Sequence, residues 1–219
     1  MTMKTDSQIQ QDVLAELKWQ PSVHAAGIGV EVKDGVVTLA GHVASYAEKF
    51  DAERAAQRVS GVKALAVEMD VKLAGTSKRT DGEIAAAAES ALEWTTFLPS
   101  NKVKVMVEKG WVTLSGEVDW EYQREAAMAA VRYLIGVTAV SGQIVIKPKV
   151  SVSAVKADIE AALKRRAHTD AQAISVSVKG TDVTLTGKVH SWSERELATN
   201  SAWGTPGVYN VIDDIELIY

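Results

Sequence analysis

The chain has 219 residues, with 24 basic and 28 acidic side chains and a net charge of −4. It has no cysteine, which excludes disulfides and thiol chemistry. No stretch approaches the roughly 20 apolar residues a membrane-spanning helix needs, and the polar start Met1–Asp12 contains no apolar targeting core. We therefore expect a cytoplasmic protein from the sequence as written, and a periplasmic one if a leader has been removed.

The first element is a helix. Thr5-Asp6-Ser7 offers capping side chains, and Ile9, Val13, Leu14 and Leu17 follow at helical spacing. Pro21 requires it to have stopped. Ile28, Val30 and Val32 alternate as a strand, Lys33-Asp34-Gly35 turns the chain, and a second strand runs from Gly35 to Val43, giving a hairpin. Ala44–Val59 reads as a second amphipathic helix, which Gly61 is placed to terminate. Leu65, Val67, Met69 and Val71 alternate as a third strand.

This order then recurs. Gly35-Val-Val-Thr-Leu-Ala-Gly41-His-Val43 returns as Gly110-Trp-Val-Thr-Leu-Ser-Gly116-Glu-Val118 and as Asp182-Val-Thr-Leu-Thr-Gly187-Lys-Val189. Offsets of 75 and then 71 residues relate the three, and they carry Gly61-Val62 onto Gly136-Val137 and Gly207-Val208. A period above 70 residues exceeds the ~20–50 of a solenoid unit and suits a small domain. The predicted fold is α+β: three tandem α-β-β-α-β domains, at 1–76, 77–149 and 150–219. Each is a three-stranded mixed sheet with two helices on one face. The other face carries Thr38, Thr113, Thr184 and Trp111.

The helix-strand order and the repeated phrase resemble those of the BON domain family, named for bacterial osmotically inducible protein Y and nodulation proteins. The matching segments are Asp34–Val43 with Gly61-Val62, Gly110–Val118 with Gly136-Val137, and Val183–Val189 with Gly207-Val208. The third copy departs from the pattern at Thr181, where the turn glycine should stand. The resemblance implies a soluble, non-catalytic binding or scaffold protein of osmotic or envelope stress, engaging a phospholipid surface or a protein partner. It also implies an alternative, a protein that senses or binds a small cation such as potassium.

Side chains that could carry chemistry are few. The copies have net charges of −2, 0 and −2, so nucleic acid is not expected as a partner. Lys164-Arg165-Arg166 reads as a solvated helix end. The histidines fall out of register between copies, so we expect no metal ligands, no catalytic residues and no cofactor. Gly27-Ile28-Gly29 precedes a strand instead of opening a helix, so it is not a dinucleotide loop. Asp213-Asp214 reads as charge protecting a sheet edge.

Six tryptophans stand against two phenylalanines. Trp19 and Trp94, in equivalent places, are expected to cap their cores. Lys49, Arg124 and Arg195 recur at one position early in the second helix, after Glu48, Gln123 and Glu194. With Tyr46, Trp111, Trp120 and Trp192 they form the candidate interaction surface, since an indole beside a cation suits an interface. Trp120 with Arg124 and Trp192 with Arg195 are expected on one helix face. Packing between domains is the rival explanation for these aromatics.

Overall fold

The computed structural model describes residues 4–99, 101–146, 174–179, 182–205, 208 and 210–218. The first copy comprises α1 (Asp6–Trp19), β1 (Ile28–Lys33), β2 (Val36–Val43), α2 (Tyr46–Gln57) and β3 (Ala64–Val71). The second comprises α3 (Asp81–Glu93), β4 (Val103–Glu108), β5 (Trp111–Val118), α4 (Glu121–Arg132) and β6 (Ala139–Ile146). The third contributes β7 (Ile174–Lys179), β8 (Asp182–Val189), α5 (Trp192–Trp203) and β9 (Asn210–Leu217). Its expected first helix, with Leu163, His168 and the run Lys164–Arg166, lies outside the described residues. So does the Gly180-Thr181 turn.

Each copy forms its own sheet, in the order β1-β2-β3, β4-β5-β6 and β7-β8-β9. The repeated phrase is the central strand. It pairs antiparallel with the strand before it and parallel with the one after it, in the same register each time: Val30 faces Leu39, Val105 faces Leu114 and Val176 faces Leu185. Leu39, Leu114 and Leu185 are fully buried, as are Leu17, Ile84 and Val131. Thr38, Thr113 and Thr184 face the open side and are half-buried. The chain is three repeated α+β units, as the phrase predicts. No helix among the described residues is long and apolar enough to cross a membrane.

The recurring residues serve this fold. Gly41 and Gly116 have φ of 131° and 141°, and a Cβ there would collide with the carbonyl oxygens of Gly27 and Lys102. Only glycine lets the residue just before the hairpin's first strand approach so closely. The hairpin turns Asp34-Gly35 and Lys109-Gly110 both take positive φ at both positions, the two-residue geometry that follows strand twist. Each turn is clasped by the first residue of a helix. Asp6 accepts from the Asp34 and Gly35 N–H groups at 2.8 and 2.9 Å, and Asp81 does the same for Lys109 and Gly110.

Helix starts are equally regular. Thr5 with Gln8, and Thr80 with Glu83, form reciprocal capping boxes. Hydrogen bonds from Thr80 hold the Glu83 carboxyl below the usual carboxylate range.

Two expectations need correction. Gly61 and Gly136 do not end the second helices, which stop at Gln57 and Arg132; the glycines lie in the connection to the third strand. Trp19 and Trp94 do not cap their cores. They are 81% and 87% exposed, because the last helical turn carries them beyond the buried face held by Leu17 and Leu92.

Candidate functional site

The second helices of the three copies meet one another, and the expected interaction residues gather there. A carboxylate or amide in the first turn locks each of these helices in place. Glu48, 7% exposed, accepts from Ala44 N–H at 2.7 Å and from His24 N–H at 2.8 Å. Gln123 accepts from Asp119 and Trp120 N–H and donates to the Phe97 carbonyl. Glu194 accepts from His190 N–H at 2.8 Å. This recurring acid or amide is therefore a backbone latch (the buried N–H groups it satisfies would otherwise be costly).

The residues opening two of these helices are aimed at the neighbouring copy. Trp192, first residue of α5, packs against the core of the first copy, and its indole N–H donates to the Val62 carbonyl at 3.1 Å. Around it Arg54 pairs with Glu196 at 2.6 Å. Arg195 lies 5.3 Å from the Trp192 ring centre and binds the Asp213 carboxylate at 2.8 Å. Arg54, Gln57, Trp192, Arg195 and Asp213 line a shallow cavity of about 340 Å³ at this junction.

Tyr46, first residue of α2, packs against the core of the second copy, where its hydroxyl meets the Val140 backbone. Burial, with Glu53 nearby, pushes its hydroxyl above the usual tyrosine range. Burial also raises the Glu53 carboxyl, against the pull of Lys49. Beside them the Arg132 guanidinium sits 3.6 Å over the Phe50 ring, and Arg54 reaches the same ring from 5.9 Å. Lys49 donates to the Met69 carbonyl at 2.9 Å.

The remaining junction joins the second and third copies. Trp203, the last residue of α5, packs against both cores, and Arg124 lies 5.8 Å from its ring centre. Glu121 opens α4 and pairs with Arg124 at 2.6 Å; its side chain is only 10% exposed. The other Glu121 oxygen, Oε2, is buried without a hydrogen-bond partner. Burial raises this carboxyl, Arg124 lowers it and Glu125 raises it further. The first copy leans on the second, the second meets the third and the third leans on the first. The three contacts close a ring.

This geometry corrects the residue pairing read from the sequence. The offsets place Glu121, not Trp120, at the position of Tyr46 and Trp192. Trp120 is the residue before α4, half-buried, where Ser45 and Ser191 cap the other two helices. Arg124 accordingly reaches Glu121 and Trp203, whereas Arg195 does share a face with Trp192. Trp111 stands apart from the junctions, 55% exposed on the open sheet face. Sequence reasoning missed Phe50, Glu121, Arg132 and Trp203. No in-register signal could have found them, because Gln57, Arg132 and Trp203 occupy one position with three different chemistries.

The BON domain model matches residues 5–72, 80–148 and 151–219, so the chain belongs to the BON domain family. It is 32% identical over 143 residues to osmotically-inducible protein Y of Escherichia coli strain K12, covering 64% of this chain and 71% of that protein. These matches relate it to osmotic stress. Among solved structures, CdsD, a structural protein of the type III secretion system of Chlamydia trachomatis, covers 95% of this chain and 91% of its own at 14% identity, with a TM-score of 0.26. The PrgH periplasmic domain covers 95% of this chain and 100% of its own at 15% identity, with a TM-score of 0.23. Similarity at that level carries no argument for this chain.

Proposed function

We propose that this chain is a non-catalytic binding protein of the stress-related BON type, and that its contact is a phospholipid surface met through Trp19 and Trp94. The carrying observation is the exposure of these two indoles, 81% and 87%, at the same place in two copies. A tryptophan held in water at the end of a helix suits the boundary between headgroup and acyl chain, where its ring is apolar and its N–H can stay hydrated. At the offset position the third copy has Arg165, within Lys164-Arg165-Arg166, a cation suited to phosphate. The basic position in the second helices contributes less to this reading. Arg124 and Arg195 are already paired, with Glu121 and Asp213.

The test is co-sedimentation of the whole chain with vesicles of phosphatidylglycerol and phosphatidylcholine, and with phosphatidylcholine alone. Wild type should bind the anionic vesicles, and Trp19→Ala/Trp94→Ala should lose most of that binding while keeping its melting temperature. No wild-type binding, or full binding by the double variant, overturns the reading. A melting temperature raised by potassium but not by sodium would favour the small-cation alternative, because selective binding to the native state stabilises it.

A further inference from the structure

The three hairpins share one topology, so each sheet ends in an edge strand: β1, β4 and β7. In an antiparallel pair alternate residues turn both backbone groups outward. Val30 is such a residue in β1, and the side chain of Gln10 covers it, donating to the Val30 carbonyl at 2.7 Å. The offset carries Val30 onto Val105 and Gln10 onto Ala85. Ala85 ends in a methyl group and cannot reach that carbonyl. In its place is a cavity of about 780 Å³ between α3 and β4, lined among others by Ala85, Leu92, Leu98, Val103 and Val105.

The open face of the same edge differs as well. The residue at its centre is Glu31 in β1 and Ser177 in β7, both polar, but Met106 in β4, 61% exposed. Charge at the middle of an edge strand is a common guard against pairing with another chain. β1 has it, β7 has an uncharged but polar serine there, and of the three only β4 has an apolar side chain. Instead its charges lie on either side of the methionine, Lys104 before and Glu108 after, both exposed.

We propose that β4 is a self-association edge, pairing antiparallel with β4 of a second copy of this chain about a two-fold axis at Met106. In that register Lys104 of each copy meets Glu108 of the other, and the two Met106 side chains meet on the axis. Val105 of each copy exchanges backbone hydrogen bonds with Val107 of the other. Opposite charges placed directly across a strand pair stabilise it, and like charges destabilise it. The same operation on β1 would set Glu31 against Glu31. On β7 it would set Ser177 against Ser177 and Lys179 against Ser175, with no opposite-charge pair, so the choice of copy follows from the sequence. Glu89 and Glu93 on the groove wall face their counterparts across the joined sheet and hold the association weak. Neither indole of the lipid reading lines the groove beside this edge, and neither proposal needs the other.

Sedimentation equilibrium of the whole chain, up to ~0.5 mM to reach the weak regime of a small interface, should show a monomer–dimer equilibrium. Met106→Glu, which gives the edge the guard that β1 has, should abolish the dimer. Ala85→Gln, which restores the covering amide of the first copy, should weaken it at least tenfold. Lys104→Glu should abolish it, and Lys104→Glu/Glu108→Lys should restore it, since the swap keeps the cross-strand pairing. All these substitutions are at the surface or copy a residue type found in another repeat, and unchanged melting temperatures check the fold. A wild type that stays monomeric throughout overturns the proposal. So does a dimer indifferent to Met106→Glu, or a charge swap that does not recover what Lys104→Glu loses.

Discussion

At the position that opens each second helix, two copies of this protein carry an aromatic ring and one carries a carboxylate. Trp192 and Tyr46 fill space against a neighbouring core and spend their polar atoms on backbone groups, at Val62 and Val140. Glu121 occupies the same place in the ring, with one oxygen bound to Arg124 and the other buried and unpartnered. The difference shows that the repeat fixes the position of this residue but not the chemistry found there. Where the carboxylate stands, the ring is supplied from the opposite side: Trp203, at the far end of α5, packs into both cores. Each junction thus has a large aromatic packed against a neighbouring core, reached by a different route.

The largest effects should separate domain cores from junctions. Leu114→Ala, at a fully buried site in the second core, should destabilise the protein by ~2–5 kcal/mol. Urea unfolding should show that loss. Trp192→Ala should cost ~3 kcal/mol, the low end of the range for removing a large aromatic, since its ring is only half-buried. The loss should fall on the first copy, whose core it covers. Faster hydrogen exchange at Val62 and its neighbours, with the second copy unchanged, is the expected pattern. If exchange rises equally in all copies, the ring unfolds as one unit and the junctions are not separable contacts. Arg132→Ala should cost less, ~0.5–2 kcal/mol as a cation over an aromatic face, and Phe50→Leu should cost nearly the same. If the double variant loses no more than either single one, the two residues act through each other.

The fold was readable because its signals repeat. Val37, Leu39 and Val43 alternate with polar residues, and two further copies in register removed the ambiguity a single short strand leaves. The glycines were readable as marks of backbone geometry, though Gly61 was given the wrong task. The junctions were not readable, for a physical reason. Repeats constrain what each domain must do alone, whereas a contact between domains needs only complementarity, which Trp192, Tyr46 and Trp203 meet by different means. Trp19 and Trp94 misled for a related reason. Their register was right, but register between copies does not say which face a position takes, and two residues past Leu17 and Leu92 lies about 200° round the helix from the core.

The smallest effect should be the most specific to the odd junction. Burial raises the Glu121 carboxyl above its ordinary value, and Arg124 only partly offsets this. For a carboxyl raised in the folded state, the folded protein holds its proton to higher pH than the unfolded chain does. Its favourable contribution is therefore complete below the ordinary glutamate range. It is lost as pH rises through the elevated folded value. The charged form of Glu121 keeps one oxygen buried and unpartnered, and folding carries a growing cost as pH rises and that form fills. Glu121→Gln keeps an acceptor for Arg124 and removes the charge. The variant should melt above wild type at pH 7, and the gap should narrow as pH falls through the carboxylate range. Glu53, raised in the same direction, contributes equally to both proteins and cancels in their difference. The measurement is therefore the difference in melting temperature between variant and wild type at several pH values, not the profile of either alone. A constant difference across that range would mean that Glu121 titrates alike in the folded and unfolded chains. A variant that melts below wild type at pH 7 would mean that the ion pair with Arg124 outweighs the burial of the free oxygen.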